Sequence, residues 1–367
     1  MSSRGASQLH TIGCPIPASP RISCVLAVCN GQAHLPESIR SIQTQTFHDW
    51  ELIVVDDGST DRTPQILDQV QHEDTRIRVH TQSKQGLVAA LNQGIMMARG
   101  EYIARMDADD ISMPDRFAVQ LEYLDDHHDI GICGSWIETF GAKTSEIVEY
   151  PRDDGAIRCQ LLFAPSLAHP ATMFRRSLIV DHHLFYDERA VHAEDYDLWV
   201  RASRHTRFAN VPITLLRYRI HPQQVGHLFE AKMDETAQAI RIAQLARLGI
   251  TPVPDEAHLH QQISRWKFEP STTFLSATRI WFDKLIDANR MTGVYPETEF
   301  LTVLGTWWSN VCLVATTEGW RTLIECWRAP RLARSAWSPW EHLKFALKCL
   351  FRKHPHTKFL GMRGVAN

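Results

Sequence analysis

The chain has 367 residues, 44% hydrophobic and 22% charged, with 39 Lys and Arg against 42 Asp and Glu and a formal net charge of -3. This composition can bury a full core and excludes a disordered chain, and the charge excludes a global pull toward nucleic acid or acidic lipid. The eight cysteines form no Cys-x-x-Cys pair and no zinc-finger spacing, so free thiols in a reducing, cytosolic setting are the simplest reading.

Residues 1–19 are rich in Ser, Gly and Pro and read as a flexible tail without the apolar stretch of a signal peptide. Residues 21–28 (RISCVLAV) form a short apolar run that predicts a buried strand, with Cys24 and Cys29 as buried strand residues. Leu35, Ile39 and Ile42 mark one face of a helix. Residues 51–55 (ELIVV) predict a second buried strand, residues 76–80 a weaker third, residues 85–99 a helix, and residues 102–106 a fourth strand. Alternation of this kind predicts an α/β fold, a Rossmann-like mainly parallel sheet flanked by helices. Ser112 and Asp115 fit a capping box for the next helix, with Pro114 in its first turn and Phe117, Leu121 and Leu124 on its buried face. Short strands are expected at 169–174 and 215–220.

Beyond about Gly226 the character changes, because eight of the eleven tryptophans follow that point. The expected organisation is a tail (1–19), an α/β domain (20–225) and a mostly helical C-terminal region (226–367). Residues 300–317 are uncharged over a length that spans a bilayer, but their many hydroxyl and amide groups favour a buried helix of the protein.

The second strand ends in Asp56-Asp57-Gly58-Ser59-Thr60-Asp61 and the fourth in Asp107-Ala108-Asp109-Asp110. In a parallel sheet, ligands bind beyond the carboxyl ends of the strands, so both clusters fall on the binding edge. Carboxylates two apart offer hard oxygen ligands to Mg²⁺ or Mn²⁺, and such a cation bridges a diphosphate and neutralises a leaving group. A solvated turn capping the next helix explains the same residues. Asp56 or Asp57 can accept from a base or ribose, with Gly58 allowing close backbone approach to a ligand; Ser59 or Asp61 can equally cap a helix. Glu194, Asp195 and Asp197 crowd the first turn of a helix, one acid more than its dipole calls for, which leaves a candidate base. His169 and His221 each precede a proline in a rigid turn.

Taken together, seven segments in order resemble the family 2 glycosyltransferases of GT-A fold: SCVLAVCNG from Ser23, LIVVDDGSTD from Leu52, GLVAALNQG from Gly86, YIARMDADD from Tyr102, HPATMFR from His169, EDYDLWVR from Glu194 and YRIHP from Tyr218. The resemblance implies an inverting, nucleotide-diphospho-sugar-dependent enzyme that glycosylates an acceptor hydroxyl on a glycan or lipid-linked molecule, in cell-surface polysaccharide or lipopolysaccharide synthesis. It implies that Asp56, Asp57, Gly58, Ser59, Lys84, Gly86 and Asp107 hold the nucleotide donor. Asp107, Asp109 and His221 would hold a divalent cation, Mn²⁺ or Mg²⁺, and Asp195 would be the base, with Glu194 its rival or a positioner of the acceptor. Lys84-Gln85 departs from the pattern, because an asparagine or arginine often precedes the glycine. A polyprenyl-phosphate sugar synthase and an inactive sugar-nucleotide-binding subunit are the alternatives. The resemblance stops near His221. Past it, Ser338-Pro339-Trp340-Glu341 predicts a capped helix. Its Leu343, Leu347 and Leu350 form an apolar stripe between Trp340 and Phe351, beside Lys344, Lys348 and Arg352, with Lys353 and Lys358 following. Such a helix either lies peripherally on the cytosolic face of a membrane or packs on the core.

Overall fold

The structure, a computed structural model, describes residues 19–142, 144–222, 224 and 229–351. The predicted N-terminal tail apart from residue 19, Cys14, most of the expected boundary around Gly226, and Arg352, Lys353 and Lys358 lie outside the described residues.

A nine-stranded mixed sheet organises the first part of the chain, in the order β3-β2-β1-β4-β8-β6-β9-β5, with β7 paired to β6. Its predicted half is parallel: β1 (Ile22–Val28), β2 (Trp50–Asp57), β3 (Ile77–Gln82) and β4 (Tyr102–Asp107). Every residue of β1 and β2 is buried, as expected when helices cover both faces. Register then sets the site. Val28 pairs with Asp56 while Ala27 pairs with Asp107, so the two acidic strand ends flank β1 at one level.

The other half turns antiparallel at β8 (Met173–Arg175), which pairs with both β4 and β6. The expected strand at 169–174 is shorter at its start, where His169–Ala171 forms a 3₁₀ turn around Pro170. β6 (Ile130–Phe140) had no separate sequence reading, and β9 (Arg207–Arg219) begins well before the expected residue 215. β7 (Ile147–Val148) lies at the margin. β5 (Ile111–Ser112) includes Ser112, so that residue is not a helix cap. The following helix, Arg116–Asp126, has no side-chain cap; Ser112 instead accepts from Gln45, and Asp115 from Thr46. Phe117, Leu121 and Leu124 are its buried face, as predicted. Cys24 is buried, but Cys29 is exposed on the loop after β1, correcting the expectation of a buried strand residue.

The C-terminal region is helical: Glu230–Arg247, Pro254–Arg265, Thr272–Thr292, Glu297–Val314, Trp320–Trp327, Pro330–Ala336 and Pro339–Leu350. Its core centres on Trp281, Trp307 and Trp308 and takes in Cys159, Leu162 and Phe163 from the sheet region. Three successive carbonyls there are gripped by buried C-terminal side chains. Gln244 donates to Leu161 O at 2.5 Å, His260 Nε2 lies 3.0 Å from Leu162 O, and Arg241 donates to Phe163 O at 2.8 Å. Burial drives the His260 imidazole down to about 3, so it is neutral in this grip. Glu297–Val314, the apolar stretch noted in the sequence, belongs to a segment that is long and apolar enough for a bilayer yet 61% buried inside the protein. Thr302 and Thr306 satisfy their hydroxyls on carbonyls one turn earlier.

Candidate active site

Two loops at the carboxyl edge of the sheet are laced together. Asn30 N–H donates to Ser59 Oγ (2.8 Å), Gly31 N–H to Thr63 Oγ1 (2.8 Å), and Gln32 N–H to Asp61 Oδ2 (3.1 Å), while Thr60 N–H donates to Asn30 Oδ1 (2.8 Å). Asn30 adopts φ 57°, which turns the chain sharply after β1. Asp57 is spent in the same way: Oδ1 accepts from Gln85 N–H (2.7 Å) and Gln82 Nε2 (2.8 Å), and Oδ2 from Gly86 N–H (2.8 Å). Gly58, with φ 69°, allows close approach to the backbone of Lys84, since a Cβ there would lie 2.9 Å from Lys84 N. That freedom lets the loop after β2 pack on the backbone of Lys84. Replacing Asp57 by Ala strands three donors and is expected to cost about 1.5–3 kcal/mol of stability; an unchanged unfolding midpoint in urea would contradict this reading.

These loops border a cleft of about 1070 Å³, at the upper end of single-ligand pockets. Of the donor-side residues expected from the sequence, Asp57 and Asp107 line it, together with Thr60 and Asp61; Asp56, Gly58, Ser59, Lys84 and Gly86 do not. Asp56 is buried, with Oδ1 accepting from Ser59 N–H (3.1 Å) and Oδ2 lacking a hydrogen-bond partner.

Asp107, Asp109 and Asp110 bring one carboxylate oxygen each within 4.8 Å of one another. The long strand β9 carries His221 back to them. Arg219 N–H donates to Asp110 Oδ1 (2.9 Å) and Arg219 Nε to Asp109 O (2.7 Å), and two residues on, His221 Nε2 lies 2.9 Å from Asp109 Oδ2. The crowding is electrostatically unfavourable. Loss of solvent, then Asp107 and Asp109, push the Asp110 carboxyl well above its ordinary value, and Asp107 is raised for like reasons against the pull of Arg105. Asp110 Oδ2 and His221 Nδ1 are buried without hydrogen-bond partners. A cluster of hard oxygens with one imidazole and surplus negative charge fits a divalent cation.

Glu194 and Asp195 open the helix Glu194–Ala202 and line the same cleft. Asp197 does not; it pairs with Arg201 at 2.6 Å. The helix N-terminus alone predicts fully ionised acids, but burial outweighs it. Glu194 is raised to about 7, by desolvation and then by Asp195, and Asp195 to about 6, chiefly by desolvation, with Tyr196 N–H and Arg105 opposing. Two adjacent acids with displaced values suit one ionised and one partly protonated group.

Arg105 escaped the sequence reading. It is a charge inside the apolar run YIARMD, which was the available signal. Almost fully buried, it lines the cleft and pairs with Asp107, and its field also reaches Glu194 and Asp195. His169 is buried too, with Nε2 2.7 Å from the Tyr186 hydroxyl, and desolvation keeps it neutral. The far end of the cleft is lined from the C-terminal region by Met233, Asp234, Arg241, Arg265, Trp266 and Lys267, none of which the sequence announced. Arg265 donates to Asp234 (2.8 Å), and Trp266 stacks on Trp307 at 5.1 Å.

Comparison with known proteins agrees with this architecture. Residues 23–182 match the model for "Glycosyl transferase family 2". An uncharacterized glycosyltransferase of Haemophilus influenzae is 32% identical over 233 residues, covering 60% of this chain and 72% of that protein. The O-antigen biosynthesis glycosyltransferase WbnJ of Escherichia coli is 33% identical over 208 residues, covering 54% and 80%. The mannosyltransferase PcManGT from Pyrobaculum calidifontis, solved in complex with GDP-Man and Mn²⁺, superposes with a TM-score of 0.53 at 16% identity, over 82% of this chain and 88% of that one, and shares the GT-A fold. With strand-end acids, returning histidine and mixed sheet all in place, the chain belongs to glycosyl transferase family 2 and is a glycosyltransferase.

Proposed function

We propose that this enzyme transfers a sugar with inversion from a nucleotide diphosphate to an acceptor hydroxyl, with Asp195 as the base. The observation that carries this reading is that Asp195 and the Asp107–Asp109 pair line one cleft with Arg105. The acceptor oxygen bonds to the anomeric carbon from the side of Asp195 as the bond to the diphosphate breaks, and the hydroxyl proton passes to the Asp195 carboxylate. Glu194, beside it in the same cleft, positions the acceptor. Asp107, Asp109 and His221 would hold Mn²⁺ or Mg²⁺, whose chemistry is to neutralise charge on the departing diphosphate. Arg105 pairs with Asp107 and opposes the rise of its carboxyl. On the donor side, Thr60 and Asp61 face the nucleotide, while Asp56, Asp57, Gly58, Ser59, Lys84 and Gly86 shape the loops around it.

The Mn²⁺ and GDP-Man of the mannosyltransferase support the choice of cation and donor class. The O-antigen assignment of WbnJ supports a cell-surface glycan or lipid-linked acceptor. A thermal-shift panel of UDP-, GDP-, dTDP- and CMP-sugars with Mn²⁺ identifies the donor, and a ligand at 100 times its Kd adds about 2.7 kcal/mol. NMR of the product then reads the anomer. Net retention of configuration, or release of pyrophosphate, would overturn the proposal.

A further inference from the structure

The helix Pro339–Leu350 is amphipathic in an unexpected sense. Its capping box forms as predicted, with Ser338 and Glu341 bonded reciprocally. It packs on the core through Phe345 and Cys349, not through the leucine stripe. Trp340, Leu343, Leu347, Leu350 and Phe351 are left exposed, at 62%, 49%, 44%, 63% and 68%. The helix Trp320–Trp327, which packs against it, exposes Trp320 and Trp327, one face two turns apart, at 57% and 64%. Monomeric proteins rarely leave that much aromatic and aliphatic surface together without a partner.

Charge indicates which partner. Residues 328–367 contain nine Lys and Arg and one acid, Glu341, a net of +8, so the preceding residues carry -11 of the chain's -3. Lys344 lies over the Trp340 ring at 5.4 Å and Arg321 over Trp320 at 5.9 Å, so cations border the exposed rings. A nucleic-acid partner is served by the cations alone, and a protein partner by the apolar surface alone. Tryptophan, leucine and phenylalanine standing out beside lysines match a bilayer interface, where rings sit among headgroups and lysines meet lipid phosphates. We propose that this face docks the enzyme peripherally on an anionic lipid bilayer, through the exposed residues of Pro339–Leu350 with Trp327.

The full-length protein is mixed with vesicles of phosphatidylcholine alone and with 30% phosphatidylglycerol, and partitioning is measured by sedimentation and by quenching of tryptophan with brominated lipid. Binding and quenching are expected with the anionic vesicles only. Lys344→Gln with Lys348→Gln should weaken partitioning about thirtyfold, and Trp340→Ser with Leu347→Ser about tenfold or more. Trp340, Lys344 and Leu347 are exposed and Lys348 is half-buried outside the core cluster, so both variants should keep the wild-type melting temperature and donor-induced thermal shift. Absence of binding, binding unaltered by either variant, or binding without quenching of tryptophan would overturn the proposal. A lipid-free dimer that Trp340→Ser dissociates would also overturn it by assigning the face to a second copy of the chain.

Discussion

Asp195→Asn is expected to lower kcat by roughly 10²–10⁴ while leaving donor affinity nearly unchanged, because it preserves size and removes only basicity. Single-turnover assays with a hydroxyl acceptor, beside calorimetric donor binding, separate the two quantities. The wild-type pH profile carries the same information. The active form of a base is ionised, and Asp195 is raised to about 6 and Glu194 to about 7. Activity should therefore fall as pH drops through that window and level off above it, the limb belonging to the coupled pair and not to either acid alone. Arg105 opposes the rise of Asp195, so Arg105→Gln should move the limb to higher pH. Glu194→Gln should leave more turnover than Asp195→Asn. Near wild-type turnover of Asp195→Asn would sink the assignment and favour an acceptor that is already an anion, such as a polyprenyl phosphate.

Asp109→Asn should reduce transfer by about three orders of magnitude, since cation stabilisation of a leaving diphosphate contributes several kcal/mol. Asp109 is the acid that His221 meets, at 2.9 Å, so the substitution weakens both the charge of the cluster and the hold on the histidine. Calorimetric titration of Mn²⁺ in the presence of nucleoside diphosphate should show weaker binding in the variant. Excess EDTA should abolish wild-type transfer, and Mn²⁺ or Mg²⁺ should restore it. Full activity in EDTA would remove the cation from this reaction.

Part of this site was legible without coordinates. A parallel strand buried on both faces must be apolar along its length, so acids at the ends of LIVV and YIARM stand out and fall at the ligand edge. Their common level, with Val28 opposite Asp56 and Ala27 opposite Asp107, is a matter of register. Asp57 and Gly58 also hold the neighbouring loop, which the sequence left unmarked, because a carboxylate that accepts from a neighbouring loop has the same sequence as one that accepts from a ligand.

By itself, the sequence determined the strand–helix alternation, the acidic strand ends, the carboxylates opening the helix Glu194–Ala202 and the capped basic helix near the C-terminus, because each is written within one turn or one strand. Only the tertiary structure decided what meets what. His221 reaches Asp109 because β9 pairs antiparallel with β5, the short strand that directly follows the acidic cluster. Arg105 is tolerated in its strand because Asp107 pairs with it, and the fold brings Asp195, far along the chain, within its field. The C-terminal helices close the cleft because Gln244, His260 and Arg241 bond three carbonyls that a local pattern leaves unmarked. The last helix turns Phe345 inward and its leucines outward because two apolar faces compete for one core, and periodicity alone does not rank them.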